Sequence, residues 1–133
     1  MATIAANDNG RDAGRFPEFS ARMHWAAGPG EQRHVAVLEL AGSLCADTAE
    51  QLREALYPAG QWRFVVLEAA GVTRLDVVGL AVIVHAARSA RAGGGALLLA
   101  CAGEPVSDTL NRTGLNRFIP AHPSVVEAVR SFG

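Results

Sequence analysis

Lysine is absent from the sequence, and cysteine occurs only twice, at Cys45 and Cys101. All 12 basic side chains are arginines, and they nearly balance the 13 acidic ones, which leaves a formal net charge of −1. Without an excess of positive charge the chain does not attract nucleic acid, so we expect no nucleic-acid partner. Neither cysteine belongs to a Cys-x-x-Cys or Cys/His cluster, so we expect reduced thiols and no metal site.

Long apolar runs and targeting signals are also missing. No segment approaches the roughly 20 uninterrupted apolar residues of a membrane helix, and the N-terminus lacks the basic-then-apolar order of a signal peptide. We therefore expect a cytoplasmic protein that does not insert directly into a membrane. What the sequence does contain is hydrophobic residues, at 50% of 133, which suffice for the core of one domain.

The chain divides into a short tail and one domain. Residues 1–15 are rich in turn-forming Asn, Asp and Gly and offer little to bury, which predicts a flexible N-terminal tail. Residues 16–133 alternate between strand-like and helix-like patterns. This alternation predicts a single α/β domain in the order β-β-α-β-α-β-α-(β)-α, with about four helices on a mixed sheet of four to five strands.

Apolar periodicity indicates where the strands lie. Apolar and polar residues alternate over residues 19–25, and residues 35–40 form a second strand after a turn, which predicts a hairpin. This second strand is predicted to end at Gly42. Residues 64–67 and 96–101 are short continuous apolar runs, which are typical of strands buried on both faces.

Capping residues mark the ends of the helices. Asp47 is predicted to cap the first helix, with Glu50 three residues later as in a capping box, and Ser124 is predicted to cap the last one. Asp76 is predicted to cap a helix that runs to about residue 91. The glycines at 93–95 follow that helix and precede a strand, so they indicate an αβ turn and not a phosphate loop.

The helix after Asp76 has an unusual outward face. One side is apolar and is expected to face the sheet; it comprises Leu80, Ile83, Val84, Ala87 and Ala90. The opposite side carries Val78, Val82, His85 and Ser89. Two valines on a solvent face are either isolated exposed side chains or a docking strip for a partner protein. Gly79, in the first turn, would let another backbone approach closely.

Catalytic chemistry has little support in the sequence. The four histidines, His24, His34, His85 and His122, show no metal-ligand spacing. Asp76 is a candidate general base, but no second acid or nucleophile accompanies it, so its expected roles are helix cap and partner contact. We therefore expect a protein that is not an enzyme and that uses no cofactor.

Several short motifs occur in an order that resembles one known family. Leu-Ala-Gly-Ser-Leu at residues 40–44 precedes Thr-Ala-Glu-Gln-Leu at residues 48–52, and residues 65–73 read as a strand with its following loop. Asp-Val-Val-Gly-Leu at residues 76–80 and Thr-Gly-Leu-Asn-Arg-Phe at residues 113–118 complete the series. From about residue 19 to residue 133, the chain resembles the STAS domain family, especially bacterial anti-sigma factor antagonists.

The resemblance implies a role in partner switching. An unphosphorylated antagonist of this family binds a kinase-like anti-sigma factor, which phosphorylates the second serine of an Asp-Ser-Ser-Gly-Leu signature and so breaks the complex. Here Val77 and Val78 replace both serines, and neither side chain has a hydroxyl that can accept phosphate. Glu68 also stands where the family often has Asp, and Cys45 where an acidic residue is common.

These features predict an anti-sigma factor antagonist that binds an anti-sigma factor or a serine-kinase-like protein and is not phosphorylated at the usual position. The expected partner-binding residues are Asp76, Val77, Val78, Gly79, Val82, His85 and Ser89. Two alternatives stay open. The first is an accessory STAS subunit of a multiprotein assembly such as a lipid-transport ABC system, and the second is a ligand-sensing STAS domain. A homodimer is a further partner to test.

Overall fold

The computed structural model describes residues 2–5, 19–30 and 34–132. The described strands form one six-stranded mixed sheet whose strand order follows the sequence. They are β1 (Ala2–Ala5), β2 (Phe19–Ala27), β3 (His34–Leu44), β4 (Phe64–Leu75), β5 (Ala96–Ala100) and β6 (Ala121–His122). β2 is antiparallel to both of its neighbours, whereas β3, β4, β5 and β6 run parallel to one another.

The described helices connect the parallel strands and follow the last of them. They are α1 (Ala49–Leu56), α2 (Ala59–Trp62), α3 (Val77–Ala92), α4 (Glu104–Thr113) and α5 (Val125–Arg130), with a 3-10 turn at Leu115–Arg117. The predicted α/β class, element order and mixed sheet are confirmed by β2 to β6 and the four longer helices. The single-turn helix α2 and the edge strand β1 are additions to the predicted order.

β1 falls within the segment that was expected to be a flexible tail. Residues 2–5 pair with residues 20–23 of β2, whose outer edge would otherwise present unpaired backbone groups. At these four residues the structure therefore differs from the expectation. The rest of the expected tail, and the start of the expected domain at residues 16–18, lie outside the described residues.

The core lies on both faces of the sheet. Because successive strand residues point to opposite faces, Leu38 and Leu67 pack with α1, α3 and α4, whereas Val37 and Val66 pack with α5. All four side chains are fully buried, which explains the continuous apolar runs of the central strands. Ser124 caps α5 as predicted, since its hydroxyl accepts the N–H of Glu127, three positions later.

β3 does not end at Gly42 as predicted. Gly42 has a φ of 94°, and register shifts within residues 39–43 allow the strand to continue to Leu44. Leu44 consequently lies beside Leu75, the last residue of β4. This extension brings the end of β3 against the start of α3, where the candidate site lies.

The predicted cap of α1 is wrong. α1 begins at Ala49, with Thr48 and not Asp47 at the N-cap position. The buried Thr48 hydroxyl accepts the N–H of Cys45 at 3.0 Å and donates to the carbonyl of Ser43 at 2.6 Å. These bonds turn the chain before the helix and leave the Asp47 side chain exposed to solvent.

Candidate functional site

Residues 76–80, which we call the 76–80 loop, lead from the carboxyl end of β4 into the first turn of α3, and Asp76 fixes their conformation. Its side-chain Oδ1 accepts the N–H groups of Val78 and Gly79, each at 3.0 Å. Its own N–H donates to the carbonyl of Leu44 at 3.1 Å. Asp76 is therefore the predicted N-cap of α3, and it also ties the loop to the end of β3.

Thr109 of α4 supports the same loop, and sequence reasoning missed it. Its buried hydroxyl lies 2.9 Å from the carbonyl oxygen of Leu75, immediately before Asp76, and shares its proton between that oxygen and the Pro105 carbonyl of its own helix at 3.0 Å. The signal in the sequence is a polar residue on the apolar side of a helix, next to Leu110 and three positions after Val106. A hydroxyl at such a position needs a hydrogen-bond partner because burying it unpaired is costly.

Gly79 is packed against the protein's own backbone. A Cβ atom at this position would lie 2.3 Å from the Leu44 carbonyl oxygen and 2.7 Å from its carbonyl carbon. The close approach that the sequence suggested is therefore made by β3, within the chain. Because Gly79 is buried, it shapes the loop and presents no side chain to a partner.

The outward face of α3 differs from the prediction at Val82. Val77 and Val78 are exposed, at 68% and 40% of their surface, and His85 is exposed as well. Val82 is only 7% exposed and belongs to the core, since α1 packs along this flank of α3 and widens the buried arc of the helix. An Asp at position 82 would therefore disturb the fold, contrary to the expectation of an exposed docking residue.

A surface groove runs between α1 and α3, with a volume of about 540 Å³. We call it the α1–α3 groove. Residues that line it include Leu56 and Tyr57 on the α1 side and Val78, Val82, His85 and Ser89 on the α3 side. The structure thus brings four of the predicted partner-binding residues together, and it adds Tyr57, which is 83% exposed. The sequence signal for Tyr57 is a lone tyrosine directly before Pro58, at the end of a helix.

Charge contributes little to this site. Arg53, which also lines the groove, pairs with Glu50 at 2.8 Å on the exposed side of α1. The Asp76 carboxylate is occupied by backbone N–H groups. The surface that the groove and the two exposed valines offer is therefore mainly aliphatic and aromatic.

Metal-binding and membrane-spanning features are not found in the part of the chain that the structure describes. Among residues 2–5, 19–30 and 34–132, no group of three or more His, Cys, Asp or Glu side chains is arranged to hold a metal ion. The four histidines lie on separate elements. In the same residues, no helix has the length and hydropathy needed to cross a membrane.

The family model of the STAS domain matches residues 30–128 of the chain. The chain belongs to the STAS domain family. The matched region of this STAS domain includes residues 76–80 and both walls of the α1–α3 groove. A search of curated protein sequences gives no match.

The solved structures that share the fold of this STAS domain include the following three. An anti-sigma factor antagonist from Mycobacterium paratuberculosis is 19% identical, with a TM-score of 0.68 over 84% of this chain and 93% of that one. SpoIIAA from Bacillus, in its phosphorylated form, is 17% identical, with a TM-score of 0.56 over 81% and 96%. A sulfate transporter family protein from Wolinella succinogenes is 20% identical, with a TM-score of 0.61 over 71% and 81%. At these identities the likeness shows the fold.

Proposed function

We propose that this STAS domain is a cytoplasmic protein-docking module of a partner-switching system. It acts as an anti-sigma factor antagonist, without enzymatic activity, and its partner is an anti-sigma factor or a serine-kinase-like protein. The observation that carries the proposal is the exposure of Val77 and Val78 at the α3 end of the α1–α3 groove, where Asp76 accepts two backbone hydrogen bonds and so caps the helix.

The distribution of exposed apolar side chains supports this location. In the described part of the chain, five large hydrophobic residues are exposed; two of them, Tyr57 and Val78, line the groove, and a third, Val77, directly precedes Val78 at the start of α3. Scattered apolar residues are normal on a protein surface, but a contiguous group beside a groove is typical of an interaction site. The groove continues the group along α3 to His85 and Ser89. Its aliphatic and aromatic lining fits the apolar face of a partner helix.

The second part of the proposal is that phosphorylation at position 78 cannot switch off binding. SpoIIAA from Bacillus exists in a phosphorylated form. Residues 76–80 of this chain resemble the family's Asp-Ser-Ser-Gly-Leu signature, and Val78 stands in the place of its second serine, the phosphate acceptor. Valine cannot be phosphorylated, so the addition of nearly two negative charges at this surface cannot occur there. Control over the complex then comes from the abundance of the chain or from competition for its partner.

A transport-associated role is the second candidate. It is favoured by the shared fold with a sulfate transporter family protein. In this reading the domain is an accessory STAS subunit of a membrane-bound assembly, and the same groove contacts a transporter component. The two candidates differ in the partner that is recovered from the cell.

Affinity capture with the full chain separates the candidates. The bait proteins are the wild type, Val78→Asp and the matched control Val126→Asp. Both valines are exposed, at 40% and 58%, and both are the second residue of a helix. We expect the wild type and Val126→Asp to retain a kinase-like anti-sigma factor, and Val78→Asp to lose it, because docking would bury an unpaired carboxylate.

Recovery of transporter components alone would overturn the anti-sigma proposal in favour of the second candidate. Equal retention by Val78→Asp would remove the groove as the docking site. The captured kinase then supplies a second test with ATP and intact-mass spectrometry. We expect no phosphate at position 77 or 78 of the wild type and one phosphate on Val78→Ser.

A further inference from the structure

Both tryptophans of the chain lie together at the end of the sheet opposite to residues 76–80. Trp25 is in β2 beside the start of β3, and Trp62 ends α2, just before β4. Their ring centroids are 6.4 Å apart, with an angle of 83° between the ring planes. His34 makes a second edge contact with Trp25, at 6.3 Å. Trp25 nevertheless remains 51% exposed, so the cluster offers aromatic surface to solvent.

These rings border an open pocket of about 560 Å³. Its lining includes Trp25, His34, Gln61, Trp62, Arg63 and Phe64. The volume falls within the roughly 300–1,000 Å³ that is usual for small-molecule sites. The α1–α3 groove is lined by a different set of residues, so the pocket is a separate feature of the surface.

The backbone at the pocket is held in an unusual conformation. Arg63 has a φ of 67°, in the left-handed region that residues other than glycine rarely adopt. Its carbonyl accepts the N–H of Ala96 at 2.8 Å, and a Cβ atom at Gly95 would lie 1.9 Å from that oxygen. The glycine run at 93–95 therefore lets the turn before β5 pass against Arg63. Such local strain, maintained by neighbouring residues, is often associated with functional sites.

The charged side chain among the described lining residues favours an anion. Among the described lining residues, Arg63 carries the formal charge, and no carboxylate is present. The guanidinium carbon lies 5.6 Å from the centroid of the Phe64 ring, a cation–π contact that keeps the charged group beside the aromatic cluster. In the described part of the chain, no ion pair involves Arg63. A guanidinium that has no ion-pair partner can bind a carboxylate through two parallel hydrogen bonds, and it repels cationic ligands.

We propose that this pocket binds a planar aromatic anion, with Arg63 holding the ligand's carboxylate while Trp25 and Trp62 contact its ring system. The inference goes beyond the docking function because it concerns the other end of the sheet. It gives a binding role to the two tryptophans and Arg63, which the glycine turn supports, and none of these residues lines the α1–α3 groove.

The test uses naphthoate and its neutral counterpart naphthamide as probes for the full chain. The chain contains two tryptophans, so its two indole N–H resonances report on this pocket directly. We expect naphthoate to shift both resonances saturably and to bind about tenfold more tightly than naphthamide by calorimetry, as for the gain of one charge-assisted hydrogen-bonded pair. Arg63→Gln should abolish this preference, and Arg63→Lys should restore part of it.

Trp25→Ala separates the aromatic contribution from the charge. Trp25 is half-exposed, so its removal leaves the core in place, whereas Trp62 packs against the core. We expect Trp25→Ala to weaken both probes by about tenfold, the effect of losing one stacking ring, and Val126→Ala on α5 to change neither. Absence of saturable shifts, equal affinity for the two probes, or larger shifts with tetramethylammonium would each overturn the proposal.

Discussion

Gly79→Ala is a substitution for which the local and tertiary effects have opposite signs. Within a helix, Ala in place of Gly normally stabilises by about 0.5–1 kcal/mol. Here the added Cβ would meet the Leu44 carbonyl at 2.3 Å, which forces the end of β3 to move at a cost of about 1–3 kcal/mol. That movement also weakens the 3.1 Å hydrogen bond from the Asp76 N–H to the same carbonyl, which costs about another 1 kcal/mol.

The expected net effect of Gly79→Ala is a loss of about 1–3 kcal/mol in the free energy of unfolding. For a chain of this size, this corresponds to a fall in Tm of roughly 3–15 °C. Urea denaturation measures the loss as a lower midpoint at an unchanged slope. Ala81→Gly, at an exposed position of the same helix, is the control and should cost about 0.5–1 kcal/mol. A neutral or stabilising Gly79→Ala would show that β3 does not approach α3 so closely.

Three further predictions concern single side chains. Thr109→Val should cost about 1–3 kcal/mol in urea denaturation because the Leu75 carbonyl loses its buried donor, and Thr109→Ser should recover most of it; equal losses would discount the hydrogen bond. Val82→Asp should lower the free energy of unfolding by at least about 3 kcal/mol, whereas the exposed Val78→Asp should stay within about 0.5 kcal/mol; similar values would contradict the burial of Val82. Ser124→Ala should cost about 1 kcal/mol and speed amide exchange in α5, and unchanged exchange there would argue against the cap.

The elements that could be predicted from the sequence are those determined by local patterns. The hairpin of β2 and β3 and the buried runs of β4 and β5 follow from apolar periodicity. The caps at Asp76 and Ser124 follow from side chains that can accept backbone N–H groups. In each of these cases, the information lies within a few residues along the chain.

The features that escaped prediction depend on contacts between distant segments. Val82 is buried because α1 lies alongside α3, and periodicity within α3 alone cannot reveal that neighbour. Asp47 failed as a cap because the Thr48 hydroxyl bonds to Ser43 and Cys45 in the preceding turn. The pairing of Trp25 with Trp62 also joins residues far apart in the sequence. Tertiary context decides all three.

The conformation of the 76–80 loop does not depend on which side chains occupy positions 77 and 78. The hydrogen bonds of the loop use the Asp76 carboxylate and backbone groups, and none of them uses the side chain at position 77 or 78. A valine at either position therefore offers no phosphate acceptor, and the hydrogen bonds that hold the start of the helix need no hydroxyl there. It also adds apolar surface beside the α1–α3 groove, where Val77 and Val78 stay exposed. Under the proposed function the two properties act in the same direction, since the apolar surface favours docking and phosphate cannot release the complex from these two positions.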